Sequence, residues 1–223
     1  MLVRIARAIA LAGFVSFGVI GLSAAADLTA LPNAQDQEGL SIPALTMAPA
    51  FNAEGERARA PMGWTGFCER YSDNCPRDNF AGEKIAFEGA LRDLIVRVNE
   101  GVNRAISPAT DKVQWGVEER WDFAETGAGD CEDYVLLKQR WLVSAGLPRQ
   151  ALLITVMTDL DGEGHAVLTI HTDRGDYILD NMHDEIKLWR ETPYTFVKRQ
   201  SRFASDGWVS LNSNGPSTRI VSR

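Results

Sequence analysis

The chain has 223 residues, 45% of them hydrophobic and 24% charged, with a formal net charge of −7. That is enough apolar material for one compact core. The acidic balance argues against nucleic acid as a partner.

At the start of the chain, Arg4 and Arg7 precede an apolar run from Ala8 to Leu22, and Ala24-Ala25-Ala26 stands before Asp27. A basic start, an apolar run and a small-residue box form a secretory signal peptide, with cleavage predicted after Ala26. The competing reading is a membrane anchor, but an apolar run of about 15 residues is short for a span. Removing residues 1–26 takes away two arginines and no acid, leaving 21 basic and 30 acidic residues and a formal charge of −9. The mature protein is therefore expected in the periplasm or secreted.

Residues 27–60 are rich in Ala, Pro and Gly and carry no periodic apolar spacing, so they read as a flexible linker. The globular domain is expected over 61–212, followed by a polar tail over 213–223. Export places Cys68, Cys75 and Cys131 where thiols oxidise. Cys68 and Cys75 lie in a polar, turn-rich stretch and can close a short loop, which leaves Cys131 as the odd thiol. Zinc is the weaker reading, because neither a CxxC spacing nor a histidine pair accompanies the cysteines.

Residues 81–106 place Leu91, Leu94, Ile95, Val98, Val102 and Ile106 at spacings of three and four, with Arg92, Asp93, Arg97, Asn99 and Glu100 between them. This predicts an amphipathic helix ended by Pro108. A loop with Trp115 and Trp121 leads to Gly127-Ala128-Gly129-Asp130. A second helix is predicted from Cys131 to Ala145, stopped by Gly146 and Pro148, with Asp130 as its N-cap. Three strands follow: Ala151–Thr158, His165–His171 after a Gly-rich turn, and Asp176–Asp180. Tyr194–Val197 is a further short β piece, and the sequence alone does not place Trp208. The fold class is α+β, a helix packed on an antiparallel sheet.

Cys131 in a first helical turn meets unpaired N–H groups and the positive end of the helix dipole, which favour the nucleophilic thiolate. An imidazole must supply the rest. Of His165, His171 and His183, His165 opens a strand beside a turn, where proton transfer is accessible. A four-residue loop, Thr172–Gly175, would set Asp180 opposite Val167, one diagonal step from His165 and on the same face. A carboxylate there would orient the imidazole and stabilise its cation. Taken singly, these residues read equally as a structural thiol, a turn histidine and a strand-end acid. Together they satisfy the template of nucleophile, base and orienter. For the oxyanion, the Cys131 N–H, Gln114, or an indole of Trp115 or Trp121 are candidate donors.

The runs Gly127-Ala128-Gly129-Asp130-Cys131-Glu132-Asp133-Tyr134, Gly146-Leu147-Pro148, His165-Ala166-Val167-Leu168 and Leu179-Asp180-Asn181 resemble the bacterial transglutaminase-like cysteine proteinases. The resemblance covers residues 80–190 and implies a papain-like or transglutaminase-like core with Cys131, His165 and Asp180 as the catalytic triad. It also implies a periplasmic, calcium-dependent protease that cuts the N-terminal region of a large exported adhesin and controls biofilm attachment. Some members of that family are held by an inner-membrane receptor for cyclic di-GMP, which the resemblance makes a candidate partner.

Asp130, Glu132 and Asp133 crowd the thiol with like charge, so they either turn away or meet a cation. Calcium takes six to eight oxygen ligands, and the family's calcium ligands fall on these same acids. The plainer reading makes them helix-capping acids. Two other functions remain open: acyl transfer to an amine, as in a transglutaminase or amidase, and a non-catalytic binding module.

Overall fold

The computed structural model describes residues 50–75, 84–204 and 207–211; the signal-peptide segment and the polar tail lie outside them. In chain order the elements are β1 (Glu54–Ala58), α1 (Met62–Arg70), α2 (Gly89–Ala105), β2 (Ser107–Pro108), α3 (Asp111–Trp115), β3 (Ala128–Gly129), α4 (Cys131–Ser144), β4 (Leu152–Thr158), β5 (Gly164–His171), β6 (Asp176–Leu179), β7 (Lys187–Leu188), β8 (Thr195–Gln200) and β9 (Trp208–Leu211). Seven strands form one antiparallel sheet in the order β1-β9-β8-β4-β5-β6-β7, while β2 and β3 form a short parallel pair. The α+β class expected from the sequence is the one observed.

Helix α4 is central to this arrangement. Residues 132–139 are all buried, since the helix lies between α2 and the sheet. Its end follows from the sequence: Gly146 adopts φ +93°, its N–H reaches Val143 O at 2.9 Å, and the Leu147 N–H reaches Leu142 O at 3.1 Å. Those two bonds make a Schellman cap, which needs a left-handed residue that glycine supplies without steric cost.

The β5–β6 register sets Leu168 against Leu179 and His171 against Asp176, with a turn over 172–175. Asp180 therefore follows β6 opposite Val167, the diagonal relation that the four-residue loop predicts. The turn itself is fixed by Thr172, whose hydroxyl donates to Gly175 O at 2.7 Å and accepts from the Arg174 and Gly175 amides.

Two expectations need correction, and one residue left unplaced finds its element. The first helix starts at Gly89, not near 81, because Ile85 instead bridges in parallel to Thr172 and Phe87 stacks on Tyr177. Glu54–Ala58, read from sequence as linker, pairs with β9 as the edge strand. Its polar, exposed residues carry no apolar alternation, which hid it. Trp208 belongs to β9 and is buried, in edge contact with Trp64 and Trp121.

The Cys68–Cys75 disulfide is present and Cys131 is free. The bridge closes α1 onto the following turn. From there Tyr71 donates to Asp122 Oδ1 at 2.6 Å and Arg70 to Trp121 O at 2.6 Å, so this small stapled unit holds the 120–123 segment in place.

Candidate active site and metal centre

Cys131 begins α4, half-buried, with its thiol beside the backbone of Ala166, the residue after His165. The β5–β6 register brings the His165 ring to Asp180: Nε2 lies 2.9 Å from Oδ1. Both side chains are buried. With Nε2 engaged, Nδ1 is the ring nitrogen left for proton exchange with a thiol.

Asp180 is held from several sides. Oδ1 also accepts the Met182 N–H at 3.0 Å, Oδ2 accepts the Tyr194 hydroxyl, and its backbone oxygen accepts Asn103 Nδ2 at 2.9 Å. Burial alone would raise its carboxyl, but the bonds from His165, Tyr194 and the Met182 amide outweigh it and hold the group below the usual range. A carboxylate so fixed would keep the imidazole in one tautomer.

The groups around the thiol favour its protonated form. Burial pushes it well above its ordinary pKa, and the Glu132 charge adds to the rise; the Ala166 amide opposes both weakly. Cys131 Sγ donates to Glu132 Oε2 at 3.0 Å, which favours the protonated form further.

Asp130 stands at the N-cap position, but its carboxylate caps nothing in α4. Oδ2 turns away to the Asp111 N–H at 3.2 Å, and Oδ1 is buried with no hydrogen bond among the described residues. The expected capping role is thereby corrected: the side chain serves a cluster of acids. Asp111, Asp130 and Asp133 bring ligand atoms within 4.8 Å of one another, and so do Asp111, Glu119 and Glu132. The acids Asp130, Glu132 and Asp133 thus fall into two overlapping groups joined by Asp111. Burial and mutual repulsion raise both Glu132 and Asp133 to about 8.

Backbone pairing assembles this cluster. Pro108 pairs with Gly129 between β2 and β3, so the residues that follow, Asp111 and Asp130, are delivered to one place. Gly129 is required there, because a Cβ would come within 2.7 Å of the Asp133 side chain. Asp133 Oδ1 accepts the Asp122 N–H at 2.7 Å, and Asp111 Oδ2 accepts the Arg120 N–H. Buried carboxylate oxygens without donors, at Asp111 Oδ1 and Asp130 Oδ1, are costly unless paired. An all-oxygen donor set of this kind fits calcium rather than a soft metal.

Asp111, Glu119 and Tyr194 were not found by the sequence reading. Asp111 looks like an ordinary first-turn acid behind its Thr110 N-cap. Tyr194 reaches Asp180 because β8 pairs with β4, which no local pattern announces. The oxyanion candidates divide. Trp121 is buried and spends its indole N–H on Glu119 Oε1 at 2.7 Å, and Gln114 Nε2 donates to Ala109 O at 3.1 Å. Trp115 lies under the Arg120 guanidinium, 4.5 Å from the ring centroid. The Cys131 N–H, first in its helix, remains the candidate donor.

A helix that starts with cysteine, packed on an antiparallel sheet that carries a histidine–aspartate pair, is the arrangement of papain-like and transglutaminase-like cysteine hydrolases. Residues 54–216 match the bacterial transglutaminase-like cysteine proteinases (BTLCP), and the chain belongs to that family. Among solved structures it is similar to calcium-bound LapG of Legionella pneumophila, at 25% identity and a TM-score of 0.48, over 59% of this chain and 75% of that one. A second structure of LapG from the same organism aligns at 25% identity and TM-score 0.47 over 57% of this chain and 72% of that one, and an EGTA-treated LapG at 24% and 0.47 over 57% and 74%. No curated protein matches the chain.

Proposed function

We propose that the protein is an exported, calcium-dependent cysteine protease that cleaves a peptide bond through Cys131, His165 and Asp180. The observation that carries this reading is the buried His165–Asp180 pair joined across the β5–β6 register, with the Cys131 thiol beside the backbone of the neighbouring Ala166. Membership in a cysteine proteinase family supports it.

In the reaction, His165 Nδ1 takes the Cys131 proton as the sulfur attacks the substrate carbonyl carbon, and Asp180 stabilises the imidazolium. The oxyanion meets the Cys131 N–H. His165 then gives its proton to the departing amine, leaving a thioester. Water attacks that thioester with His165 as base, releasing the acid and restoring the thiol.

Calcium would be held by Asp111, Asp130, Glu132 and Asp133, with Glu119 at the rim. When bound, it supplies positive charge that neutralises these acids next to the thiol. Engaging the Glu132 carboxylate would also take it from the Cys131 thiol, its hydrogen-bond partner here.

The N-terminal region of a large exported adhesin is the proposed substrate, and an inner-membrane cyclic di-GMP receptor the proposed regulator; both rest on the family resemblance. The test is incubation of the purified protein with such a region, with and without calcium, beside Cys131→Ala. Calcium-dependent cleavage lost in Cys131→Ala supports the reading. Cleavage retained in that variant refutes it, and product formed only with an added amine would make the chain an acyl transferase.

A further inference from the structure

Lys138 is the one lysine of α4, and it is completely buried. Lysine is almost never buried without a partner, yet its Nζ makes no hydrogen bond among the described residues. Its place on the helix is informative. Seven residues at about 100° each fall about 20° short of two turns, so Lys138 shares the face of Cys131, about 10 Å further along the axis.

The charges acting on Lys138 are those of Asp180 and Asp184, at the two ends of the segment that follows β6. The same segment is gripped from α2. Asn103 Nδ2 donates to Asp180 O at 2.9 Å and to Asp184 Oδ1 at 2.8 Å, while Asn99 Nδ2 donates to Asp184 O at 3.0 Å. Asn99 sits with Ile95, Val98 and Val102 on the buried face of its helix, although its position among polar residues suggested otherwise. The amide oxygens of Asn99 and Asn103 are both buried and have no hydrogen bond among the described residues. An ammonium offers three donors and no acceptor, which complements two carboxylates and two orphan amide oxygens around one short segment.

We propose that Lys138 is a positioning residue for the proposed triad: its buried ammonium, with Asn99 and Asn103, clamps the 180–184 segment and so holds Asp180 where His165 needs it. The inference rests on the triad reading above. It assigns a reason for placing a cation inside an otherwise apolar helix face, where a methionine would pack at lower cost.

The clamp is titratable. Burial lowers the Lys138 pKa to about 7, against the opposing pull of Asp180 and Asp184. The charges acting on it are Asp180 and Asp184 from the segment after β6; His165 of β5, Tyr194 before β8 and Asn103 of α2 are bonded to Asp180. The ammonium is thus charged at acid pH and lost as pH rises through its folded pKa.

The test uses the full chain in calcium-containing buffer. The rate of Cys131 alkylation by iodoacetamide is compared between wild type and Lys138→Met across pH, while NMR follows Lys138 Cε and the His165 ring nitrogens. Lys138→Met should be slower by about tenfold at about pH 6, and the ratio should approach one above the Lys138 midpoint, where the wild type is neutral too. Lys138→Arg, permanently charged, should restore the rate. Asp184→Asn removes one attracting carboxylate and should lower the Lys138 midpoint. A rate ratio that does not change with pH overturns the proposal. Should Lys138→Met fail to fold, the wild type decides: His165 signals that ignore the Lys138 titration overturn it equally. Failure of the triad reading is distinct, since Cys131 would then alkylate at the same rate in wild type and His165→Ala.

Discussion

Strand β5 carries a buried histidine at each end, and each is bonded to an aspartate of the neighbouring strand or its extension. His165 meets Asp180 at 2.9 Å, and His171 meets Asp176 at 2.7 Å. The residue types are the same and the surroundings are not. Asp176 also accepts Arg199 Nη1 at 2.9 Å and the Asn52 N–H at 2.8 Å, and Glu54 joins Arg199 and Arg202 to the same network. The second nitrogen of His171 faces Arg202 Nη1 at 3.3 Å. A guanidinium has only donors, so in that contact the ring nitrogen is the acceptor and Nδ1 donates to Asp176. Every polar position of that ring is used, and its work is to tie β1 and β8 to β5 and β6. His165 spends one nitrogen on Asp180, and its other nitrogen has no hydrogen bond among the described residues. A buried His–Asp pair is therefore not in itself a reactive device; the two ends differ in whether the second ring nitrogen is already engaged.

The comparison breaks most sharply by substitution. His165→Ala should lower peptide cleavage by about a thousandfold or more, close to the effect of Cys131→Ala, with little change in melting temperature. His171→Ala should keep most activity but lose about 2–3 kcal/mol of stability, measured by denaturant unfolding, because it strips a buried charged network of one member. If His171→Ala is the inactive variant, the roles assigned to the two ends are reversed.

Chelation should come next in size, removing activity reversibly while leaving the His171 end intact. The pH dependence of stability carries a sign that checks this. In the metal-free protein Glu132 and Asp133 are raised to about 8, above their ordinary values near 4. Between those limits the folded state binds more protons than the unfolded one, so stability falls as pH rises. Calcium binds the ionised form and opposes that fall, so its stabilising effect should grow from pH 5 to pH 8, as read by thermal unfolding with and without the ion. A calcium shift that shrinks with pH would detach the ion from these acids.

Asp180→Asn should cost about a hundredfold in turnover, since the amide cannot stabilise the imidazolium, whereas Asp176→Asn should act on melting temperature alone. Tyr194→Phe is the smallest expected effect, a few-fold loss in turnover, because Asp180 keeps its bonds to His165 and the Met182 amide. Equal losses in Tyr194→Phe and Asp180→Asn would mean that the hydroxyl itself takes part in the chemistry.

Much of this site was legible in one dimension, because its parts lie close together in sequence or on paired strands. Helix propensity and a glycine stop mark α4, a four-residue turn fixes the β5–β6 register, and register alone puts Asp180 diagonal to His165. The odd cysteine is equally a matter of counting and compartment. The rest depends on distance along the chain. Asp111 joins Asp130 through a two-residue parallel pairing, Tyr194 reaches Asp180 from a strand that joins the far side of β4, and Lys138 answers to charges about forty residues away. Edge strand β1 exists only because β9 and a buried ion-pair network receive it. Sequence patterns report local backbone preference and alternating burial, and those pointed to Cys131, His165 and Asp180 as the proposed triad. Which carboxylates share a cation, and which histidine keeps a free nitrogen, follow from long-range packing and the pairing of buried charge, and only the tertiary structure decides them.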